Sequence, residues 1–250
     1  MTRMRLPSID QTGIGVIVPC DMALDRELWR WVPPDISLYV TRLPATPPTV
    51  TIETVLLMGD TALVTPSVAD LLAVEPVATL YACTSGSFVR GRAGERELVG
   101  ALESAGAPHV VTTSGALLAA LTHLGVATVA VATPYDRFIT ERLAAFLGEA
   151  GVRVATTSQL GLSSHIWQVP YAETAELVRA ADHPDAEAVV VSCTNLPTYD
   201  IISELEHDLG KPVVTANQAS MWAVLRLLGR NATGAGQRLL ATDPLLETRV

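Results

Sequence analysis

The 250-residue chain reads as an α/β protein of two similar halves, each a parallel sheet of about four strands flanked by helices, with a ligand cleft between them. Three observations predict this. Short β-branched runs alternate with longer Ala/Leu-rich stretches, which is the pattern of parallel sheets with right-handed crossovers. The runs are nearly continuously apolar rather than alternating, as in strands covered on both faces. The third observation is an internal repeat. Gly13-Ile-Gly-Val-Ile-Val-Pro19 resembles Thr128-Val-Ala-Val-Ala-Thr-Pro134, and Ala82-Cys83-Thr84 resembles Ser192-Cys193-Thr194. Pro108-His-Val-Val-Thr-Thr-Ser-Gly-Ala116 resembles Pro212-Val-Val-Thr-Ala-Asn-Gln-Ala219. The prolines lie 115 apart and the cysteines 110 apart, so the matches keep their order at a nearly constant offset. A period this long means a duplicated domain, not a solenoid. The halves are placed at 1–112, with 216–250 returning to it, and 113–215.

The elements follow in order. Gly13 to Pro19 is a strand stopped by proline, and Ile36 to Leu43 is the second. Residues Pro44 to Pro76 are less regular and proline-rich; they read as a loop plus helices near Ile52 to Leu63 and Ser67 to Leu72. Val77 to Cys83 and His109 to Thr112 complete the first set of strands. Thr128 to Thr133, Arg153 to Thr156, Glu187 to Cys193 and Pro212 to Thr215 make the second. Apolar spacing near 3.6 predicts helices over 94–105, 114–124, 135–150, 171–181, 198–209 and 218–228. Gly106, Gly125, Gly151, Gly210 and Gly229 supply helix stops. The tail beyond Gly229 has no clear period and is expected to be ordered only by docking.

Composition bounds the function. The chain carries 17 Lys+Arg against 26 Asp+Glu, a formal charge of −9, which argues against a nucleic-acid surface. Hydrophobic residues make up 49% and charged ones 17%, which excludes a disordered chain. No apolar run reaches the roughly 18 residues of a membrane span, and MTRMRLPSIDQTG holds no signal-peptide core. Three scattered cysteines do not make a disulfide framework, and neither CxxC nor HExxH occurs. Gly13-x-Gly15 is no dinucleotide fingerprint, because position 18 is Val, and there is no phosphate-binding GxxxxGK[ST] loop. The expectation is a cytoplasmic protein without metal or cofactor, bound to neither nucleic acid nor membrane.

The candidate chemistry sits at the strand ends, where parallel sheets bind ligands. Cys83 closes one apolar run and is followed by Thr84, Ser85 and Gly86; Cys193 closes another and is followed by Thr194 and Asn195. A chain that turns there beside a helix start presents backbone N–H groups to a carboxylate or oxyanion. The same groups are expected to lower a thiol pKa from its free value of roughly 8.5. A single cysteine at a strand end is more often a small buried hydrophobe; two at equivalent repeat positions point to chemistry. Cys20 also ends a strand, but its repeat counterpart is Tyr135, and no thiol chemistry is assigned to it. Tyr135 either donates a phenolic hydrogen bond into the cleft or packs; the site role is preferred. Asp136, Arg137 and Glu141 read as a solvated helix face. Arg42 reads equally as a carboxylate ligand or as a surface arginine. His165 reads as an incidental loop residue, and Asn217 and Gln218 as caps of the last helix.

These blocks bring the sequence close to a known group. The chain resembles the aspartate/glutamate racemase superfamily, in the branch holding maleate cis-trans isomerases, arylmalonate decarboxylases and ectoine-utilisation racemase-like proteins. The marks are Val18-Pro19, Tyr81-Ala-Cys-Thr-Ser-Gly-Ser-Phe88, Thr133-Pro-Tyr135, Val191-Ser-Cys-Thr194, and Lys211 to Ala219 followed by Trp222 and Leu225-Arg-Leu-Leu-Gly229. The resemblance implies two flavodoxin-like halves, an active site between them, no metal or cofactor, a small carboxylic acid as substrate, and assembly as a homodimer or homotetramer. It implies that Cys193 matches the nucleophile of the isomerases and the proton donor of the decarboxylases. Cys83 matches the first cysteine of isomerases and racemases, where decarboxylases carry glycine. Thr84, Ser85, Tyr135 and the Thr194 backbone match positions that bind the substrate carboxylate. One departure concerns the substrate: maleate isomerases follow the Val-Pro pair with Ser-Ser-Asn, and this chain has Cys20-Asp21-Met22. The leading expectation is a two-cysteine isomerase in which Cys193 adds to a cis-enedioate, an enediolate forms, and Cys83 protonates. The alternatives are a racemase or an arylmalonate-type decarboxylase using the same thiols, and a non-catalytic small-acid binder.

Overall fold

The computed structural model describes residues 11–47 and 49–241. The N-terminal stretch in which no signal-peptide core is found lies largely outside the described residues, as does the end of the tail beyond 241. The chain runs first through β1 (Thr12–Val18), α1 (Asp25–Trp29), β2 (Ile36–Arg42), α2 (Ile52–Met58), α3 (Thr61–Val64), α4 (Pro66–Leu72), β3 (Ala78–Tyr81), α5 (Thr84–Phe88), α6 (Gly91–Ser104), β4 (Val110–Thr112) and α7 (Thr113–His123). It continues through β5 (Thr128–Thr133), α8 (Arg137–Glu149), β6 (Arg153–Gln159), α9 (Tyr171–Ala181), β7 (Ala188–Val191), α10 (Ile202–Leu209), β8 (Val213–Thr215), α11 (Ala216–Leu227) and α12 (Arg238–Ala241).

Two four-stranded parallel sheets form, ordered β2-β1-β3-β4 and β6-β5-β7-β8. The identical order is the predicted duplication made visible. β1, β3, β5, β7 and β8 are buried along almost their whole length, which is why their sequences are continuously apolar. The edge strands differ. β2 and β6 are half exposed, and Arg153, Thr157 and Gln159 give β6 an outward polar side.

The first sheet separates two cores. Val16, Val18, Leu80 and Ala82 join the large apolar cluster that runs through the second half. Ile17, Tyr81 and Cys83 face Val64, Val68, Leu98 and Leu102 from α3, α4 and α6. Each such fully buried aliphatic side chain contributes about 1.5–3 kcal/mol. α7 and α11 pack on each other between the sheets, and Ser220 Oγ donates to Thr113 Oγ1 across the contact at 3.0 Å. α11 also packs against β3 and β4 as well as β8, so it touches both sheets.

All five predicted helix-stop glycines have positive φ, from 65° to 101°. The helix predicted over 52–63 is broken, because Gly59 ends α2 and the Asp60 carboxylate caps α3 by accepting from Ala62 N. The tail is docked: Trp31 Nε1 donates to Gln237 Oε1 at 2.9 Å, and Arg238 N donates to Glu206 Oε2 at 2.8 Å. Among the described residues no single helix is long and apolar enough to cross a membrane.

Candidate active site

The carboxyl ends of β1, β3, β5 and β7 converge on one partly open cavity. Cys83, Thr84, Ser85, Tyr135, Cys193 and Thr194 all line it, so the six predicted residues share one space. Pro19, Asp21 and Asn195 join them, and Val50, Thr54, Val55, Met58 and Ile166 form an apolar wall. A roof comes from both halves at equivalent places after β2 and β6: Val50 N donates to Ser163 O at 2.6 Å.

Cys83 precedes α5 as its N-cap residue, and the whole of α5 is buried. Gly86 lets this turn fold tightly against its surroundings. A Cβ there would lie 2.6 Å from Tyr81 Oη, 2.9 Å from Met58 O and 3.0 Å from Cys83 Sγ. Tyr81 OH donates to Met58 O, which ties α2 to the same turn. Thr84 Oγ1 is buried and has no hydrogen-bond partner within the protein, in a residue that lines the cavity.

Cys193 adopts φ +94°, a conformation that L-residues seldom take. Its turn is held from several sides. Asn195 N donates to Cys193 Sγ at 3.4 Å, Thr194 Oγ1 donates to Ala82 O at 3.2 Å, and Asn217 Nδ2 donates to Thr194 O at 3.0 Å. The Asn195 amide reaches the first half, accepting from Ala23 N at 2.9 Å and donating to Asp21 O at 3.0 Å.

The electrostatics correct one expectation. Both thiols are raised, not lowered: Cys83 to about 11 and Cys193 to about 12, with burial as the leading cause in each. The turn N–H groups do act in the expected direction. Gly86 N–H and the Ser85 side chain pull Cys83 down, and Tyr135 with Asn195 N–H pulls Cys193 down. They are outweighed by the loss of water around sulfur and by the Asp21 charge. Tyr135 is pushed well up by burial and by Cys193, so its phenol keeps its proton and donates. Asp21 is exposed at the rim, yet enough protein surrounds its carboxyl that desolvation raises its pKa, against its own backbone N–H and Arg42.

The other candidates lie elsewhere. Arg42 does not enter the cavity; its guanidinium donates to Cys20 O and Met22 O and so braces the loop that carries Asp21. His165 is exposed and pairs with Ser164 Oγ. Arg137 and Glu141 form an exposed ion pair, as expected of a solvated face, whereas Asp136 caps α8 by accepting from Ile139 N. Gln218 forms the capping box of α11 with Thr215. Asn217 is a buried donor and not a cap. Sequence reading misses Asp21 and Asn195, which the repeat does not mark. It also misses the apolar wall, which comes from the least regular segment. Among the described residues no group of three or more His, Cys, Asp or Glu is placed to hold a metal ion.

The comparisons agree with this architecture. Residues 65–241 match the arylmalonate decarboxylase family. A protein of Bordetella bronchiseptica named arylmalonate decarboxylase is 39% identical over 154 residues, which are 60% of this chain and 64% of that one, so the match spans slightly less than two thirds of that relative. Among solved structures, a liganded arylmalonate decarboxylase variant with one glycine changed to cysteine and one cysteine to serine superposes with a TM-score of 0.85. It is 32% identical and covers 93% of this chain and 100% of its own. A cysteine-to-serine variant of the Nocardia farcinica maleate cis-trans isomerase, solved with a covalently bound succinylcysteine intermediate, gives a TM-score of 0.83 at 26% identity. It covers 93% of this chain and 99% of its own. By the extent of the family match and the full-length likeness of fold, the chain belongs to the arylmalonate decarboxylase family.

Proposed function

We propose that the chain is a cofactor-independent isomerase of a small carboxylic acid that works through its two cavity thiols. The observation that carries the proposal is the meeting of Cys83 and Cys193, one from each half, in one cavity beside Thr84, Ser85, Tyr135 and Thr194. For a cis-enedioate such as maleate, one thiolate adds to an alkene carbon. The π electrons move toward the neighbouring carbon and into its carboxylate as an enediolate, held by Thr84, Ser85, Tyr135 and the turn N–H groups. The second thiol protonates that carbon, giving a succinyl thioether whose former double bond is single and rotates. The second thiolate then takes the proton back, the first thiolate leaves, and the trans acid results. No atom is gained or lost.

The site's chemistry supports Cys83 as the adding thiol and Cys193 as the acid, the reverse of the order expected from sequence. Cys83 stands at the start of α5, where Gly86 N–H and the Ser85 side chain favour its anion. In the Nocardia variant a cysteine carries the succinyl group although another has been made serine, so in that enzyme addition survives the loss of one thiol.

A second reading rests on the cavity wall. Among the described residues no lysine or arginine lines the cavity, and Val50, Val55, Met58 and Ile166 do. A substrate with one carboxylate and an apolar α-substituent fits such a wall better than a dicarboxylate. Its racemisation would use the same parts: one thiolate removes the α-proton, the enediolate forms, and the other thiol returns a proton. A malonate losing CO₂ would reach the same enediolate.

Incubating the protein with cis-enedioates, with single enantiomers of α-substituted acids in D₂O and with an arylmalonate, followed by NMR, tests the readings together. Conversion of cis to trans acid is the expected result. Deuterium entering Cα of a scrambled enantiomer supports the second reading. Turnover of none of them overturns the proposal. Assembly as a homodimer or homotetramer, cytoplasmic residence and the division into 1–112 with 216–250 and 113–215 belong to the same proposal; light scattering, cell fractionation and limited proteolysis check them.

A further inference from the structure

Glu27 is a carboxylate with no part in the chemistry above, yet only 6% of it is exposed. It belongs to α1 in the first half, and every protein group that donates to it belongs to the second half or to α11. Thr198 N and Tyr199 N each donate to Oε1 at 2.7 Å, Asn217 Nδ2 donates to Oε2 at 2.6 Å, and Thr198 Oγ1 approaches Oε2 at 3.4 Å. Burying a carboxylate costs several kcal/mol unless its lone pairs are satisfied. Here two backbone N–H groups and the Asn217 amide hold the two oxygens, and burial still outweighs them enough to push the carboxyl pKa up.

What the carboxylate holds is informative. Asn217 Nδ2 donates at once to Glu27 and to Thr194 O. Thr194 O and Asn195 N–H are the two ends of one planar peptide unit, and Asn195 N–H is the donor to Cys193 Sγ. Fixing the oxygen therefore aims the N–H at the sulfur. Part of the arrangement recurs around Cys83. Ser114, which matches Asn217, donates to Thr84 O at 3.0 Å, and Thr84 matches Thr194, but the N–H that acts on the Cys83 thiol is that of Gly86, one peptide further on. The anchor differs too: Ser114 is held by Ser87, with the two hydroxyls 2.6 Å apart, whereas Asn217 is held by Glu27.

We propose that Glu27 is a positioning residue for Cys193: through Asn217 and the Thr194–Asn195 peptide it sets the N–H that faces the Cys193 sulfur, and it does so from the other half of the molecule. The inference rests on the two-thiol reading only for its effect on turnover; the geometry concerns the thiol itself. Glutamine at 27 keeps the shape and breaks the logic. If its oxygen stays on Thr198 and Tyr199, its NH₂ meets the NH₂ of Asn217. If Asn217 turns over to accept, its oxygen then faces Thr194 O. In both cases Thr194 O loses its donor.

The experiment labels the Glu27→Gln protein with limiting iodoacetamide at one pH and reads the ratio of Cys193 to Cys83 alkylation by peptide mass spectrometry. Cys83 is an internal control, because its own peptide is anchored by Ser87 and Ser114. Asp21, Cys83 and Tyr135, the titratable groups that face Cys193, are the same in both proteins. The expected result is a ratio lowered by about tenfold, the effect of one pKa unit on thiolate fraction. On whichever substrate turns over, kcat should fall while KM stays within about twofold, as expected when a reacting group is misaimed. An unchanged or raised ratio overturns the inference, and so does an equal loss at both cysteines. If Glu27→Gln fails to fold, Asn217→Leu removes the same donor from Thr194 O and must lower the same ratio. Because alkylation needs no substrate, a lowered ratio without any turnover would count against the proposed function and not against the role of Glu27.

Discussion

Cys193 sits at φ +94°, and a side chain there costs of order 1–3 kcal/mol. Replacing it separates backbone strain from chemistry. Cys193→Gly should be more stable than Cys193→Ala by about 1 kcal/mol, read from urea midpoints, because only glycine takes this φ freely. Equal midpoints would mean that the turn is relaxed. Both variants should be inactive. Cys83, Thr84, Cys193 and Thr194 are legible in the sequence because the duplication marks them: a Cys-Thr pair at matched strand ends is a local pattern, whereas Ser85 and Tyr135 are read from their places at strand ends and from the family resemblance. Asp21, Asn195 and Glu27 are not legible. Each acts through a contact between segments more than 150 residues apart, such as Asn195 to Ala23 or Glu27 to Thr198, and no local pattern encodes these. The direction of the thiol pKa values escapes the sequence for a related reason. Turn donors are visible in sequence, but the burial that outweighs them is a property of the folded cavity.

Elements with a strong period or a continuous apolar run are the readable ones; β5 and α9 fall where the sequence places them. Short helices are not. α1 and α5 have five residues each and too few turns to show a period, and they owe their form to packing at the cavity. The end of the chain is a similar case. Gln237 Oε1 accepts from both Trp31 Nε1 and Gln218 Nε2 at 2.9 Å, so one amide docks the final segment on α11 and on the loop after α1. Gln237→Ala leaves two buried donors without an acceptor and should cost about 2 kcal/mol or more, with α12 losing its amide-exchange protection first. Protection unchanged at α12 would show that the packing of Leu239 and Leu240 and the Arg238 bonds to Glu206 dock it without Gln237.

At the scale of the molecule, duplication explains both the symmetry of the sheets and the asymmetry of the site: two equivalent turns meet, and each carries one thiol. Two buried thiols also set the response to pH. Their folded pKa values lie above the ordinary thiol value of 9.0, at about 11 and about 12. Above pH 9 the unfolded chain therefore binds fewer protons than the folded one, and stability must fall as pH rises toward 11. Below pH 9 the thiol contribution is fully present. The decline should be about 1.4 kcal/mol per pH unit for each thiol, and Cys83→Ala should flatten it between pH 9 and 10.5 in thermal melts. An identical slope in variant and parent would show that the thiols are not buried in solution. The central claim, that one thiol adds and the other moves the proton, is tested most directly by mass spectrometry of the two single serine variants after exposure to maleate. Cys193→Ser should retain a maleate-derived adduct on the Cys83 peptide and turn over at least about a hundredfold more slowly than the parent, while Cys83→Ser should carry no adduct and be equally slow. An adduct on Cys193 in the Cys83→Ser protein, or parental turnover in either variant, would contradict the account.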